Sequence, residues 1–457
     1  MKSFTSNIFD KKLIINFLFI MLFFSYIGGN LLINLNIILI LVFGFIFYKF
    51  EIFKIDYTFL DKLIIFTFMY VLLNGVYNNY YYRANDISLD NTILIKSIFF
   101  LRFLLLYFLI NFFIKNNLIN IKFFFIASSI AVIFVSLDLL YQFYYGYDIF
   151  GLEAVKGRRL SGPFGDELVA GSFIFRFGIF SFFLLPIFYK INNKFFLWLI
   201  LILLFLLLFF ALLLSGNRTP LFLFLIIIAC IFLFEKKIRK FFFLFVPLII
   251  ILVSLIYNFN QKTKDHLGSY KNKIISFFYV FSDENMISEE ELEKTYRYNK
   301  KNNMFYTLEY KGNFYKINNT YMKEFKTGYL TWKVNKYFGG GIKSFIYSCS
   351  RANIPNCVNH PHNYYLEILS ELGLFGMILF FAIFIIITFK TFFKKYFIKS
   401  SFQNNYIITP FIFLFLIEIF PLRNTGSFFS TFSATYFFLI LSILVGLIKK
   451  NNLIEKK

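Results

Sequence analysis

The stretch HPHNYYLEILSELGLFG, residues 360–376, lies where a long polar segment gives way to a long apolar run. The apolar run is long enough to cross a bilayer, so the stretch marks the border between a loop and a membrane helix. It contains two of the chain's three histidines, His360 and His362. Imidazole titrates near neutral pH, and a titratable group at the end of a membrane helix is a strong candidate for chemistry.

The composition is typical of a polytopic membrane protein, since 59% of the 457 residues are hydrophobic and 16% are charged. The net charge of +22 comes mainly from Lys and Arg in short gaps between apolar runs. Such placement is expected of topology signals, so the basic charge does not indicate a nucleic-acid partner. The expected partner of most of this chain is the lipid bilayer.

Apolar runs predict about 12 transmembrane helices, at about 13–28, 31–50, 58–76, 92–114, 122–143, 168–189, 195–214, 219–234, 241–257, 364–389, 406–421 and 428–448. An even number places both termini on one side. The lysine-rich gaps fall on that same side, which the positive-inside rule makes cytoplasmic. The predicted fold is an all-α polytopic bundle with a membrane domain at 1–257, one large periplasmic loop at 258–362 and a second membrane domain at 363–457.

The long loop divides by composition. Residues 261–319 are polar and weakly periodic, which predicts loose structure with short helices. Residues 321–337 place apolar side chains at helical spacing, which predicts an amphipathic helix that lies along the membrane or caps the bundle. Cys349 and Cys357 follow and are expected to form a disulfide if the loop faces an oxidising compartment.

Arginines mark the predicted outer face. Arg158 and Arg159 lie before the sixth span, and Arg218 begins the eighth. A planar guanidinium suits phosphate oxygens, so these residues could form a diphosphate clamp. The alternative is that they extend to the interface and are hydrated there, as most arginines at helix ends are.

The His362–Asn363 pair carries the main catalytic hypothesis. A neutral His362 could accept a proton from an attacking hydroxyl, and the Asn363 amide could orient the ring or a substrate. The alternative is a structural histidine that caps the helix beginning near Asn363. Metal binding by His360 and His362 would need further ligands, so no metal is predicted.

Further charged and small residues follow on the same helix. Glu367 and Glu371 share a face, and Gly373 and Gly376 would let another helix pack closely. Four charged residues inside spans each require a partner: Arg102, Asp138, Arg176 and Glu418. Pairing among themselves is one explanation, and a path for a lipid diphosphate is the other.

Together these motifs resemble the O-antigen ligase and Wzy polymerase superfamily. The resemblance rests on His362-Asn363, nine intervening residues and Gly373-Leu374-Phe375-Gly376, and on Phe338-Gly339-Gly340-Gly341 followed by Phe345. Ser215-Gly216-Asn217-Arg218 and Arg159-Leu160-Ser161-Gly162 extend it. The chain departs from the family pattern at Asn217 and at Lys336. It also lacks the loop arginine that many members carry a few residues before the tryptophan that corresponds to Trp332.

The resemblance implies a GT-C-like, metal-independent, inverting glycosyltransferase without a cofactor, in the bacterial inner membrane with its active face in the periplasm. Its donor would be a glycan on undecaprenyl diphosphate. His362 would be the base or a diphosphate contact, Arg218 would hold the diphosphate, and Arg159 would assist. The acceptor would be lipid A core in a ligase, or another glycan in a polymerase.

Two other functions are consistent with parts of the sequence. A protein O-glycosyltransferase is a further branch of the same family. A polysaccharide transporter belongs to a different class, and would predict inverted repeats with polar residues near mid-bilayer. This chain concentrates its polar residues at the outer rim, so the sequence favours the transferase, and slightly favours a ligase.

Overall fold

The computed structural model describes residues 2–84, 91–153, 159–189, 193–235, 286–291, 306–310, 313–317, 320–354, 357–398, 405–421 and 426–455, with single positions at 239, 247, 254, 293 and 423.

The described helices are α1 Lys2–Ile27, α2 Asn30–Tyr48, α3 Phe59–Ala84, α4 Thr92–Phe100, α5 Arg102–Lys115, α6 Ile121–Tyr145, α7 Ala170–Phe188, α8 Lys194–Leu214, α9 Arg218–Phe234, α10 Thr320–Val334, α11 Phe345–Arg351, α12 Tyr364–Thr388, α13 Thr409–Glu418 and α14 Thr431–Glu455. A π-helical turn at Phe389–Phe393 and a short helix at Lys394–Tyr396 continue α12.

The helix lengths support a multi-pass membrane protein. Among the described residues, eight stretches are long and apolar enough to cross a bilayer, and α9 and α13 are shorter apolar helices. The predicted ninth span, 241–257, lies outside the described residues. The total of 12 spans and the side of the membrane that each loop occupies stay predictions.

Aromatic side chains fill the interior of the bundle. Phe23 packs edge-to-face on Phe124 and Phe177, with ring centroids 4.8 Å and 5.1 Å away. Such contacts between large apolar rings stabilise the helix interfaces. α14 lies at the centre of the bundle, since 89% of the residues in its most apolar stretch are buried, compared with 33% in the span that begins with α2.

The turns gather at two ends of the bundle. At one end, Lys115 pairs with Asp56 at 3.0 Å, and Lys449 with Asp61 at 2.6 Å. At the other end, the side-chain amide of Asn363 donates to the Pro421 carbonyl at 2.8 Å. Phe428, just before α14 begins, contacts Glu367 of α12, whereas Lys449 lies near the end of α14. The two lysine ion pairs and the candidate catalytic turn therefore occupy opposite ends of the bundle.

The first part of the long insertion contains a small sheet, which the sequence analysis did not predict. Strands β1 Met286–Ile287, β2 Tyr306–Tyr310 and β3 Asn313–Ile317 pair antiparallel in the order β1-β3-β2. Tyr310 pairs with Asn313 across β2 and β3. Aromatic and Thr residues favour strands, and a Lys-Gly sequence between two such runs favours a hairpin, so a local signal was present in the sequence.

The amphipathic helix is observed as α10. It packs on the first part of α12 and on the connection that precedes it. Gly328 lies against Pro361, where an added methyl group would come within 2.7 Å of the proline Cβ. α10 therefore caps this end of the bundle and brings its polar side chains to the His362 turn.

Candidate active site

His362 lies in the connection between α11 and α12. Its backbone φ is 51°, in the left-handed region that residues with a side chain seldom adopt. Its Nε2 lies 3.8 Å from Oε1 of Glu324 on α10, and 36% of its side chain is exposed. The imidazole therefore has both a carboxylate neighbour and access to solvent, as a proton-transfer residue requires.

Asn363 begins α12 as its N-cap. Its Oδ1 accepts hydrogen bonds from the backbone N–H groups of Tyr365 at 3.0 Å and Leu366 at 3.2 Å. Its Nδ2 donates to the Pro421 carbonyl at 2.8 Å. The sequence left open that the histidine caps this helix. The cap is made by Asn363, which fixes the position of His362 directly before it.

His360 packs against His362, with the ring centroids 4.1 Å apart. Its Nδ1 accepts a hydrogen bond from the His362 backbone N–H at 3.2 Å, which requires that nitrogen to be unprotonated. Burial, the neighbouring His362 and the positive Lys343 lower the pKa of His360 to about 4. His360 is therefore neutral at physiological pH and supports the turn in that form.

A disulfide joins Cys349 of α11 to Cys357, with the two Cα atoms 5.8 Å apart. Cys349 is fully buried. The bridge ties the chain just before His360 to α11, which restricts the motion of the histidine turn.

The backbone of α12 is not helical at Gly373, so the helix is broken there. Two glycines explain this break. Gly373 has φ 67°, and an added methyl group would lie 2.3 Å from the carbonyl of Tyr337. Gly339 has φ 73°, and its added methyl group would lie 2.4 Å from the carbonyl carbon of Glu371. The two segments exchange backbone hydrogen bonds, including Leu374 N–H to Lys336 C=O at 2.9 Å and Gly341 N–H to Glu371 C=O at 2.7 Å. Only glycine permits both the positive φ and this approach.

This contact differs from the helix packing expected at Gly373. Gly373 lies against the turn that follows α10, and its partner is backbone. Gly376 does pack on a helix, because an added methyl group would come within 3.2 Å of Tyr70 Cε1 on α3. The Tyr70 hydroxyl also donates to the Leu372 carbonyl at 2.7 Å, which supports the broken turn of α12.

The two glutamates of α12 are buried. Glu367 accepts a hydrogen bond from the Phe428 backbone N–H at 2.6 Å and lies 4.0 Å from Lys343 Nζ. Lys343 also donates to Ser427, which in turn donates to Glu367. Glu371 lies near the backbone amides of Lys343 and Phe345, although no described donor meets hydrogen-bond geometry with its oxygens. Glu367 therefore connects the turn after α10 to the turn before α14.

Arg218 is the first residue of α9 and is partly buried. The turn before it is held by Asn217, whose Nδ2 donates to the Leu168 carbonyl at 3.0 Å. This contact gives a structural role to an asparagine that departs from the family pattern. Arg159 is exposed, and Arg158 lies outside the described residues.

Contacts between α9 and α13 place Arg218 relative to His362. Glu235, directly after α9, accepts a hydrogen bond from Thr409 at the start of α13, at 3.0 Å. The two helices contact each other, so they run antiparallel, and Arg218 lies at the end where α13 finishes. The segment after α13 contacts Asn363 through Pro421. Arg218 and His362 therefore occupy the same end of the bundle.

A buried ionic cluster lies beneath this end. Arg176 pairs with Glu418 at 2.7 Å, Arg423 pairs with the other oxygen of the same carboxylate, and the Tyr364 hydroxyl donates to Glu418 at 3.0 Å. The Arg423 guanidinium also lies 5.3 Å from the Phe175 ring centroid. Arg176 and Glu418 therefore pair with each other, which is one of the two explanations that the sequence left open.

The other two charged residues of the spans do not join that pair. Asp138 accepts a hydrogen bond from the Ile149 backbone N–H at 2.7 Å. Arg102 donates to Thr431 at 3.3 Å. Asp138 is thus hydrogen-bonded by the loop after α6, and Arg102 by the first residue of α14. The sequence spacing indicated neither contact.

Residues that the sequence did not single out complete the site: Glu324, Lys343, Tyr364 and Arg423. Glu324 is one turn before Gly328 in an amphipathic pattern, so its helix was predictable, but its contact with His362 was not. In the described parts of the chain, no group of three His, Cys, Asp or Glu residues is arranged to hold a metal ion.

Comparisons with known proteins agree with the motif resemblance. Residues 202–381 match the family model described as O-antigen ligase. This range includes Arg218, the α10 helix, the disulfide, His362 and both glycines of the broken helix. The comparison with curated proteins found no match. The resemblance to the O-antigen ligase and Wzy polymerase superfamily is therefore confirmed over this range.

Proposed function

We propose that this chain, which carries an O-antigen ligase domain at residues 202–381, transfers a glycan from undecaprenyl diphosphate to lipid A core. The active site would face the periplasm of a bacterial inner membrane, with both chain termini in the cytoplasm. Polymerisation of the glycan is the second candidate, because the two reactions share a donor and differ only in the acceptor. Transfer to a protein hydroxyl is a third acceptor choice.

The proposed reaction is a direct displacement. An acceptor hydroxyl oxygen forms a bond to the anomeric carbon while the bond from that carbon to the diphosphate oxygen breaks. The hydroxyl proton passes to His362, and the bonding electrons leave with the lipid diphosphate. Attack opposite the leaving group inverts the anomeric configuration.

His362 is the proposed base, and one observation carries this assignment. The imidazole has a carboxylate, Glu324, at 3.8 Å and an exposed face, on a backbone turn with φ 51°. A carboxylate beside a histidine orients the ring and stabilises the imidazolium that forms when the proton arrives. Strained backbone held by a disulfide and a helix cap is typical of functional positions.

Arg218 is the proposed diphosphate ligand. It begins α9, where the positive end of the helix dipole adds to the positive charge of the guanidinium. Its placement at the same end as His362 supports a shared site. Arg159, exposed before α7, is proposed to assist, with Arg158 beside it in sequence. Diphosphate is a good leaving group when its charge is met by such cations, so the proposal requires no metal.

Deletion of the gene, followed by gel analysis of surface glycans, tests the function. A ligase predicts intact lipid A core without attached chains, and a polymerase predicts core that bears a single repeat. A transporter predicts that the purified protein makes no glycan product from a lipid-linked donor and an acceptor. Unchanged surface glycans after deletion would overturn the transferase proposal.

Single variants test the site. His362→Ala removes the base and should lower transfer by about 10²–10⁴-fold, as loss of a general base does. Arg218→Ala should lower transfer by about 10²-fold or more, as loss of transition-state charge stabilisation does. The measurement is the transfer rate of purified protein in lipid nanodiscs, with protein abundance checked in parallel. Arg239→Ala, at the opposite end of the bundle, is the matched control, and wild-type rates in both site variants would remove them from the mechanism.

A further inference from the structure

A cavity of about 410 Å³ lies between α3, α10, α11 and α12. This volume falls in the range of pockets that hold small ligands. Neither His362 nor Arg218 lines it, so it is distinct from the proposed site of proton transfer. Its walls come from four helices that meet at the broken turn of α12.

The α3 wall is aromatic. Tyr77 and Tyr81 stand one turn apart with their rings nearly parallel, at 16° and 6.4 Å between centroids. Both are well exposed, with 61% and 44% of each residue accessible. Exposed tyrosine faces lose little conformational entropy on binding and offer an apolar surface with a polar edge.

The opposite walls carry polar groups beside the apolar Val334 and Ala352. Thr331 of α10 donates its hydroxyl proton to the Thr327 carbonyl at 2.8 Å, and Ser370 of α12 donates to Glu367 at 3.1 Å. A hydroxyl that donates its proton in this way offers its oxygen as an acceptor. Asn335 donates to the Gly339 carbonyl at 2.7 Å through its Nδ2, and Arg351 adds a cation at the rim.

The cavity lies on the same helices as the His362 turn. Thr331 follows Glu324 on α10, and Ser370 follows Asn363 on α12, each by seven residues. Each separation corresponds to about 10 Å along a helix. A sugar chain of two or three units can span such a distance. The disulfide at Cys349 also fixes α11, which supplies Arg351 to the wall.

We infer that the cavity lined by Tyr77, Thr331, Asn335, Arg351 and Ser370 binds the sugar units of a glycan substrate beyond the one that reacts. Stacked aromatic rings facing hydroxyl and amide groups match the apolar faces and hydroxyl edges of a carbohydrate. The inference rests on the proposed transferase function and names the substrate part that this cavity recognises.

Two variants of the cavity test this inference. Val334→Trp places a large ring in the cavity from α10, where Val334 is 52% exposed, and Tyr77→Ala removes half of the aromatic pair. Each should raise KM for the glycan substrate about tenfold while kcat changes less than twofold, since binding is lost away from the reacting atoms. Lys333→Trp, the neighbouring exposed position on α10, is the matched control and should keep the wild-type KM.

A binding measurement separates this inference from the proposed function. The probe is free oligosaccharide hydrolysed from the host's own surface polysaccharide, without diphosphate, measured by saturation-transfer NMR on protein in nanodiscs. Binding that the two cavity variants lose supports the inference even if no transfer is detected. Normal transfer with unchanged KM and unchanged oligosaccharide binding in both variants would overturn it and leave the transferase function standing.

Discussion

Two ionic groups at the same end of the bundle differ sharply in their surroundings. In the Arg176–Glu418–Arg423 cluster, all three side chains are no more than 3% exposed. In the His362–Glu324 pair, the side chains are 36% and 14% exposed, and their closest charged atoms are 3.8 Å apart. The first group is enclosed by aromatic rings, and the second is partly open to solvent.

The difference separates a structural role from a chemical one. A buried carboxylate between two guanidiniums cannot exchange protons with a substrate, but it fixes α7, α13 and α12 relative to one another through Tyr364. A partly exposed imidazole with a carboxylate neighbour can accept and release a proton. Variants of each group should therefore fail in different measurements.

Removing the central carboxylate of the buried cluster should give the largest effect on stability. Glu418→Ala leaves two buried guanidiniums without their partner, which typically costs about 3–5 kcal/mol. We expect a large fall in melting temperature and in membrane abundance. The same truncation at exposed Glu51 is the control and should change neither. A melting temperature equal to wild type in Glu418→Ala would mean that the cluster is not needed for the fold.

Neutralising the carboxylate of the open pair should affect rate without affecting stability. Glu324→Gln keeps the size of the side chain but removes the charge that stabilises imidazolium at His362. We expect kcat to fall about tenfold, because the imidazolium that forms during the reaction loses its neighbouring carboxylate charge. Melting should be unchanged, because exposed or partly exposed ion pairs contribute little to stability.

The control for this rate effect is Glu290→Gln on the exposed insertion. If Glu324→Gln keeps the wild-type kcat, the carboxylate does not act on the imidazole. The comparison between the open and closed groups would then rest on burial alone.

The smallest expected effect is the pH dependence contributed by His360. Its pKa is lowered from 6.5 to about 4 in the folded protein, so between these values the unfolded chain binds more protons. The stabilising contribution is complete above pH 6.5 and is lost as pH falls toward 4. Partial exposure reduces it to about 1–2 kcal/mol.

Thermal melting of wild type and His360→Gln between pH 8 and pH 4.5 measures this contribution. The difference between the two proteins should change across the interval from pH 6.5 downward, because the groups facing His360, namely His362 and Lys343, are present in both. Parallel melting curves at every pH would show that burial of His360 is not coupled to folding.

Much of the membrane fold could be predicted from local sequence. Apolar runs long enough for a bilayer gave helices close to the predicted ranges, because helix length in lipid is set by bilayer thickness and backbone hydrogen bonding. The amphipathic helix, expected at 321–337, is observed at Thr320–Val334. The small sheet was missed although its aromatic and Thr residues favour strands, because the strands are short and lie in a polar segment.

The candidate site was only partly predictable. His362 and Arg218 were chosen from residue type and motif, and both lie at the same end of the bundle. Glu324, about 40 residues before His362, could not be assigned as its neighbour, because that contact depends on how α10 docks on α12. Arg423 was not singled out, because nothing near it in sequence indicates that it is buried beside Glu418.

Sequence alone indicated that this chain is a helical multi-pass membrane protein, that a long polar insertion precedes His362, and that its motifs resemble the O-antigen ligase and Wzy polymerase superfamily. These features follow from hydrophobic length, charge placement and short-range spacing, which are local properties. Only the tertiary structure decided which carboxylate faces His362, why Gly339 and Gly373 must lack side chains, and which charges are buried together. Those contacts join residues that are distant in the chain, so they are fixed by packing and by the fit of one backbone against another.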